Sequence, residues 1–385
     1  MKARYRYRFY PTDQQKQDLA KLFGCARYVW NEALAHCQNV GKYPGYNALA
    51  KRLTKLRQSV EWLKEVSAVA LQQALRQLDT AYRRFFQKLG RSPRFKKKRS
   101  SQSVTLAASG FSLKDDKVYL AKIGTIKPIW SRPLPSRPSS MTVIKDCAGR
   151  YFVSFVVEVE PVNVPAKRSS IGVDLGIQTF ATCSNKTKYN SPDYAPLFCR
   201  IAQLQKQLAR RVKGSNRWER TRLRIAKLHC RIEDMRKDFL HKLSTKLTSE
   251  NQVVVLEDLN VGGMLKNRKL SKAISRQGWY TFRALCEGKG EKYQREVRII
   301  NRWEATSQYC SKCGWHWGKL DLCTRVVVCD GCGAVHCRDE NASQNIEEVG
   351  MGRRPTLKRT WRPGKTARLQ GLVAPVDEAS RIPAL

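Results

Sequence analysis

The chain has 385 residues, which is enough for two or three domains that each bury a core. Hydrophobic residues make up 42% of it, and this share excludes an intrinsically disordered protein. Lys and Arg number 73 against 32 Asp and Glu, so the formal charge is +41, and such self-repulsion indicates a polyanionic partner. Because basic residues occur along the whole chain, nucleic acid is the expected partner. A solvated basic surface and an acidic membrane surface are the alternatives.

The sequence contains no secretory signal and no candidate membrane span. Met1 leads directly into basic residues, and no apolar run approaches about 18 residues. Nine of the 13 cysteines are scattered singly, which favours a reducing compartment over a disulfide framework. We therefore predict a cytoplasmic, nucleoid-associated protein with no membrane partner.

The amino-terminal half combines β and helical patterns. Residues 2–9 alternate basic with aromatic or small side chains and predict a strand, after which Thr12 and Gln15 form a capping box for a long helical block. Further on, residues 141–145 and 151–158 predict a β-hairpin. If the first strand joins this hairpin, the helical block is an insertion within a β domain.

Two basic clusters stand out against this background. Lys96 to Arg99 form an unbroken basic run, which is either a solvated loop or a phosphate contact, and the overall charge favours phosphate contact. The second cluster surrounds the predicted bend of a helical hairpin, at Lys213–Asn216, and a solvated basic end is again the alternative. Its members are Arg210, Arg211, Arg217, Arg220, Arg222 and Arg224.

Four cysteines have the spacing of a structural metal site. Cys310 and Cys313 form one C-x-x-C pair, and Cys329 and Cys332 form a second one after fifteen intervening residues. Each pair is followed by a glycine, which permits a tight turn around an ion. Four thiolates complete a tetrahedron, so we predict one structural Zn²⁺ without catalytic chemistry. If this pairing is wrong, the spare ligands nearby are Cys323, Cys337, His316 and His336.

Acidic residues recur at predicted strand and helix ends. Asp174 lies in a predicted buried strand between Gly172 and Gly176, where a carboxylate needs a metal or an ion-pair partner. Glu257 and Asp258 follow another buried strand, and either one could be an ordinary surface residue.

Asp339 begins the last predicted helix, where an aspartate is most often a cap. If these acids meet, they repel one another, so that one becomes protonated unless cations intervene, and carboxylates suit two Mg²⁺ or Mn²⁺ ions. Two such ions about 3.5–4 Å apart support phosphodiester hydrolysis.

Motifs along most of the chain resemble the TnpB family, the RNA-guided nucleases of bacterial and archaeal insertion sequences that are related to type V CRISPR effectors. The resemblance lies in a set of short segments that occur in the family's order. They are Arg8–Pro11, Gly24–Asn31, Pro93–Lys98, Gly172–Ile177, Asp238–Ser244, Leu256–Asn260, the cysteine pairs and Arg338–Ala342. Cys337 departs from the family pattern, in which an acid commonly occupies this position.

The resemblance implies an α/β multidomain protein with an RNase H-like RuvC nuclease core, an inserted zinc ribbon and an amino-terminal β-rich wedge domain that carries a helical recognition block. The implied domain boundaries are 1–11 with 101–165 for the wedge, 12–100 for the recognition block, 170–302 with 338–349 for RuvC and 303–337 for the ribbon. Apart from the resemblance, residues 350–385 are rich in Arg, Pro and Gly, and this composition predicts a disordered tail. The resemblance also implies Asp174, Glu257 and Asp339 as the catalytic Mg²⁺ ligands, and it favours Glu257 over Asp258.

The implied activity is RNA-guided cleavage of double-stranded DNA beside a short adjacent motif, directed by a transposon-encoded guide RNA. The alternatives are a guided DNA-binding repressor without nuclease activity and a transposase that performs strand transfer. Neither the adjacent motif nor the oligomeric state can be inferred from the sequence.

Overall fold

The computed structural model describes residues 1–162, 164–321 and 324–354, which form two compact units. Within the described residues, the first unit comprises 1–162 and 192–238, and the second comprises 164–191 and 239–354. The spare ligand Cys323 and the predicted tail from residue 355 onward lie outside the described residues. The predicted domain boundaries divide the chain more finely than these two units and remain a prediction.

The first unit begins with a strand, continues through three helices and then forms short strands. Its elements to residue 158 are β1 (Lys2–Phe9), α1 (Asp13–Asn39), α2 (Tyr46–Ser59), α3 (Ala68–Phe86), β2 (Gln102–Ala107), β3 (Phe111–Lys114), β4 (Lys117–Leu120), β5 (Gly124–Ile126), β6 (Pro128–Ile129), β7 (Ser140–Lys145) and β8 (Tyr151–Glu158).

Strand β1 lies inside an antiparallel sheet of order β2-β7-β8-β1-β6. It pairs with β8 along its whole length, from Lys2 opposite Glu158 to Phe9 opposite Tyr151. The first strand therefore joins the predicted hairpin, and helices α1 to α3 are inserted between two strands of one sheet. The predicted capping box is present, because the side chains of Thr12 and Gln15 each bond the other's backbone N–H.

The second unit contains a five-stranded sheet flanked by helices. The remaining elements in chain order are β9 (Ser170–Leu175), β10 (Ala181–Cys183), β11 (Lys188–Tyr189), α4 (Ala195–Ala209), α5 (Asn216–Glu250), β12 (Val253–Glu257), α6 (Val261–Met264), α7 (Ser271–Gln277), α8 (Trp279–Tyr293), β13 (Glu296–Ile300), β14 (Val326–Val328), β15 (Val335–Cys337) and α9 (Arg338–Gly350). Helix α4 and the start of α5 belong to the first unit, and α5 continues into the second.

The sheet of the second unit has the order β11-β10-β9-β12-β13. Strands β9, β12 and β13 are parallel to one another, and β10 runs antiparallel to β9. Val254, Val255 and Leu256 are fully buried in β12, so the run of apolar residues is a central strand covered on both faces. The mixed α/β class predicted from the sequence is confirmed.

Helix α9 approaches β9 so closely that Gly172 has no room for a side chain. A Cβ at that position would meet the backbone nitrogen of Glu347 at 2.6 Å and also the carbonyl oxygen of Ser343. The glycine beside Asp174 therefore allows a whole helix to pack on that face of the strand. Among the described residues, the structure contains no helix that is both long and apolar enough to cross a membrane.

Candidate functional site

Three of the predicted acids meet at one end of the second unit's sheet. In the parallel pair β9–β12, Val173 is opposite Leu256, so Asp174 and Glu257 are the next two neighbours in the register. Asp339 lies in the first turn of α9, the helix that packs on β9. Segments that are far apart in the sequence thus bring Asp174 and Glu257 to the carboxyl ends of adjacent strands, and Asp339 to the start of a helix that packs on one of them.

The charges of the two other acids act on Asp174. Burial raises the pKa of Asp174 well above its usual range, and the charges of Glu257 and Asp339 raise it further, while Arg338 lowers it. Burial also raises the pKa of Glu257. Neighbouring cations would relieve this repulsion, and the donors are carboxylate oxygens, so the residues fit Mg²⁺ or Mn²⁺.

The three acids do not form as compact a ligand group as the four cysteines do. Among the described residues, the group of His, Cys, Asp or Glu ligand atoms lying within 4.8 Å of one another consists of four cysteines, and the acids are spread more widely. A pair of ions about 3.5–4 Å apart spans more space than one ion. The wider spread of the acids is therefore compatible with two ions.

Glu257 and Asp339 each have a polar partner outside the group of three acids. The hydroxyl of Thr306 donates a hydrogen bond of 2.7 Å to Oε1 of Glu257. Arg325 lies with its Nη1 3.5 Å from Oδ2 of Asp339 and donates from Nη2 to Gln178 at 2.7 Å. Sequence reasoning missed Thr306 and Arg325, because Thr306 begins a single 3-10 turn and Arg325 precedes a three-residue strand, and neither element is long enough to give a periodic signal.

Asp258 faces away from this group and toward two arginines. Its carboxylate accepts hydrogen bonds from Arg302 at 2.9 Å and from Arg283 at 2.7 Å. These two guanidinium groups lower the pKa of Asp258, with Arg302 the stronger influence. The geometry thus groups Glu257, rather than Asp258, with Asp174.

The four predicted cysteines form a compact cluster. Their sulfur atoms all lie within 4.8 Å of one another, and Cys313 to Cys329 and Cys310 to Cys332 are separated by 3.5 and 3.8 Å. A tetrahedral ion with Zn–S bonds of about 2.3 Å requires sulfur separations of about 3.8 Å, so the cluster fits one Zn²⁺. A hydrogen bond from the backbone N–H of Trp315 is the main cause that lowers the pKa of the Cys313 thiol to about 7. The lowered pKa favours the thiolate form of Cys313.

The backbone turns from Cys310 to Gly314 and from Cys329 to Gly333 have the same shape. Gly314 and Gly333 have φ values of +79° and +68°, and their N–H groups donate to the carbonyls of Cys310 and Cys329 at 3.0 and 2.8 Å. The tight turns predicted for these two glycines are confirmed. Of the described spare ligands, His336 contacts the cluster, with Nε2 3.1 Å from the sulfur of Cys310, but the compact ligand group consists of the four cysteines.

Family models match three stretches of the chain. The model described as "Probable transposase" (OrfB_IS605) matches residues 154–268, a "Helix-turn-helix domain" of the same family matches 1–42, and a "Cas12f1-like, TNB domain" matches 279–346. The last match contains all four clustered cysteines.

Two curated relatives and one solved structure are similar over most of the chain. A protein of Streptomyces pristinaespiralis, provisionally named as an RNA-guided DNA endonuclease, is 42% identical over 91% of this chain and 90% of its own length. InsQ of Escherichia coli K12, which has the same provisional name, is 30% identical over 90% of this chain and 92% of its own length. A Cas12f1 in complex with sgRNA and target DNA has a TM-score of 0.54 at 14% identity, with 86% of this chain and 82% of that chain covered.

The fold and the cysteine cluster thus define an α/β protein with the overall fold seen in Cas12f1. The chain belongs to the TnpB family, the group to which its curated relatives and the IS605 family model point.

Proposed function

We propose that the chain is an RNA-guided endonuclease that hydrolyses phosphodiester bonds in DNA. The observation that carries this proposal is that Asp174 and Glu257, at the carboxyl ends of adjacent strands, come together with Asp339, in the first turn of α9, in a chain with a charge of +41. The relatives' names support the same activity. In this proposal the second unit's sheet, with α9, is an RNase H-like RuvC core.

The three acids are proposed as the ligands of two Mg²⁺ or Mn²⁺ ions, which when bound would activate a water and stabilise the leaving oxygen. The chain's own groups position this chemistry. Thr306 fixes the carboxylate of Glu257 through its hydrogen bond, and Gly172 allows α9 to place Asp339 near the strand ends. Arg325, beside Asp339, adds positive charge where a scissile phosphate would bind.

The proposed partners are a transposon-encoded guide RNA and a double-stranded DNA target with a short adjacent motif. Base pairing with the guide would select the target, while protein groups contact the nucleic-acid backbone and the motif. The first unit supplies the wedge and recognition block in this scheme. One structural Zn²⁺ would be held by Cys310, Cys313, Cys329 and Cys332.

A second candidate function is strand transfer, because the matching family model is described as "Probable transposase". Incubation with transposon ends would yield joined DNA products if this alternative holds. A guided repressor without nuclease activity is disfavoured, because such relatives generally lose the acids that are intact and adjacent here.

The test is a cleavage assay with purified chain, guide RNA, Mg²⁺ and a matching DNA duplex. We expect Asp174→Ala to abolish cleavage and to leave RNA and DNA binding nearly unchanged, because the acid contributes to the chemistry and not to phosphate attraction. Loss of binding together with cleavage would contradict this division of roles. Cleavage by the wild type that does not depend on the guide would contradict the proposal itself.

A further inference from the structure

The basic run after Pro93 is attached to helix α1 through its backbone. The amide of Asn31 donates from Nδ2 to the carbonyl of Lys96 at 3.1 Å and accepts from the Lys96 N–H at 2.8 Å. The indole N–H of Trp30 donates to the carbonyl of Arg94 at 3.0 Å. These three hydrogen bonds fix an otherwise irregular segment in one conformation.

Lys96 is an anchor within this segment and differs from its neighbours. Its Nζ lies 4.0 Å from the centroid of the Trp30 ring, and the side chain is half-buried. A cation over an indole face is stabilised by the ring quadrupole. The Lys96 side chain is therefore directed toward α1 and is poorly placed to meet a phosphate.

The side chains that flank Lys96 point into solvent. Arg94, Lys97 and Lys98 are exposed, and Phe95 leaves 49% of its surface exposed. Neither Lys97 nor Lys98 forms an ion pair in the part of the chain that the structure describes. The segment thus presents an aromatic ring beside two lysines, Lys97 and Lys98, that have no ion-pair partner among the described residues.

The side chain of Gln102 binds backbone carbonyl groups at the other end of the segment. Its Nε2 donates to the carbonyls of Lys98 and Ser100 at 2.8 and 2.9 Å, and Arg27 of α1 donates to its Oε1 at 2.8 Å. Because Gln102 occupies these carbonyl oxygens, the exposed cationic side chains remain available for contacts with a ligand.

The exposed surface continues onto the first turn of α5, which belongs to the same unit. The guanidinium of Arg99 lies 5.1 Å from the centroid of the Trp218 ring and 3.7 Å from the carboxylate of Glu219. Arg217 and Arg220 next to them are exposed. Cations and aromatic rings therefore alternate over a longer surface than the run itself.

The geometry points to residues 94–99, which we call the basic segment, as a preorganised binding site for single-stranded RNA. Lys97 and Lys98 contact phosphates, and Phe95 stacks on an unpaired base. A duplex keeps its base faces stacked inside, so an exposed ring between cations is suited to a single strand. Preorganisation by Asn31 and Gln102 reduces the ordering cost of binding. This inference rests on the proposed function, because it locates one contact of the guide RNA.

The first experiment removes the two exposed lysines. Full-length chain, freed of copurifying RNA, is titrated with an oligouridylate of about 20 nucleotides, at several salt concentrations. Lys97→Gln/Lys98→Gln is expected to weaken binding about 10-fold near 150 mM salt and to reduce the magnitude of the salt slope by about 1.4, because two phosphate contacts are lost. The control Lys114→Gln/Lys117→Gln loses the same charge at exposed positions of β3 and β4 and is expected to change neither.

Two further variants separate stacking and positioning from charge. Phe95→Ala is expected to lower affinity between about 5-fold and 100-fold with an unchanged salt slope, because a stacked base carries no charge. Asn31→Leu removes both backbone contacts of Lys96 without any charge change. It is expected to weaken RNA binding and to accelerate tryptic cleavage within the basic segment. The Lys97→Gln/Lys98→Gln variant keeps the contacts of Asn31, so trypsin should still cleave slowly at the basic residues that remain in the segment.

Two results would overturn the inference. One is RNA affinity of the lysine variant equal to that of the control variant. The other is an equal loss of affinity for a DNA duplex of the same length, which would identify a general phosphate contact. Failure of the proposed function is distinguishable, because it would appear as absent guided cleavage by the wild type while these RNA affinities could still behave as expected.

Discussion

At the scale of single residues, chemistry depends on which of two adjacent acids joins the candidate site. The sequence Glu257–Asp258 follows a buried strand, and nothing in that pattern distinguishes the two carboxylates. The structure separates them by their partners: Glu257 lies beside Asp174, and Asp258 lies between Arg283 and Arg302. The arginines come from α8 and a later loop, so this difference could not be read from the sequence around the acids.

We expect Glu257→Gln to abolish cleavage and Asp258→Asn to retain most of it. Both variants lose one negative charge at neighbouring positions, so a general change of charge affects them equally. If Glu257 holds one of two metal ions as proposed, its loss would lower the cleavage rate by several orders of magnitude, since such ions would activate the attacking water and stabilise the leaving oxygen. The measurement is the single-turnover cleavage rate at saturating guide RNA. Equal loss in both variants would contradict the assignment of Glu257.

Gly172 provides a second prediction at this scale. Gly172→Ala places a Cβ against backbone atoms of α9, which cannot move independently, and overpacking of this kind costs about 1–3 kcal/mol. Because α9 also holds Asp339, a displacement of about 1 Å should lower the cleavage rate by about 10²-fold. The control Gly288→Ala lies in α8 with nothing within 4 Å of a new Cβ, and it should be neutral or stabilising by about 0.5–1 kcal/mol. Urea denaturation and cleavage rates measure both, and an unaffected Gly172→Ala would be inconsistent with this packing.

At the scale of elements, patterns with strong local causes were predicted well. Strands β1, β7, β8, β9 and β12 and the capping box of α1 appear where alternation, apolar runs and cap residues place them. The sequence also predicts a strand from Gln178 to Cys183, and the observed strand is shorter, because β10 begins only at Ala181. Gly176 donates to the carbonyl of Phe180, so a turn occupies the first residues of that range. Such turns depend on the strand pairing that follows them, which local propensity does not reveal.

The region of the four cysteines has little apolar packing of its own. Of the six residues in β14 and β15, Val327 is buried, whereas Val326, Val328 and Val335 are 60%, 59% and 68% exposed. A structural Zn²⁺ contributes on the order of 10–16 kcal/mol of apparent free energy in small domains, so its removal should unfold this region. We expect chelation to abolish amide-exchange protection at residues 303–337, while β9 and β12 stay protected.

Matched cysteine variants test the ligand assignment. Cys313→Ser should lower the bound zinc, measured by elemental analysis, from one ion per chain to a small fraction of it. Cys199→Ser removes an exposed cysteine outside the cluster and should keep the full zinc content. Full zinc in the Cys313 variant would mean that a different ligand, such as His336, completes the site.

At the scale of the whole molecule, charge was the most informative property of the sequence, and its local use was the least predictable. The formal charge of +41 indicates a polyanionic partner before any fold is known. The net charge does not tell which cations already have a partner within the protein. Arg283 and Arg302 bind Asp258, and the Lys96 ammonium lies over the Trp30 ring. Only the tertiary structure separates such internal cations from those available to phosphates.

The cations that remain should make nucleic-acid binding strongly dependent on salt. If six to ten phosphates are contacted, the association constant should fall by about 10³–10⁵ between roughly 50 and 200 mM salt, because each contact releases condensed counterions. Asp174→Ala should show the wild-type slope, since it removes no cation and lies at the candidate site for cleavage. Filter binding of guide RNA and of target DNA, each at four or more salt concentrations, measures both slopes. A salt slope near zero would mean that the basic surface is merely solvated. A slope changed by Asp174→Ala would mean that Asp174 affects phosphate binding, so that binding and cleavage would not be separate roles.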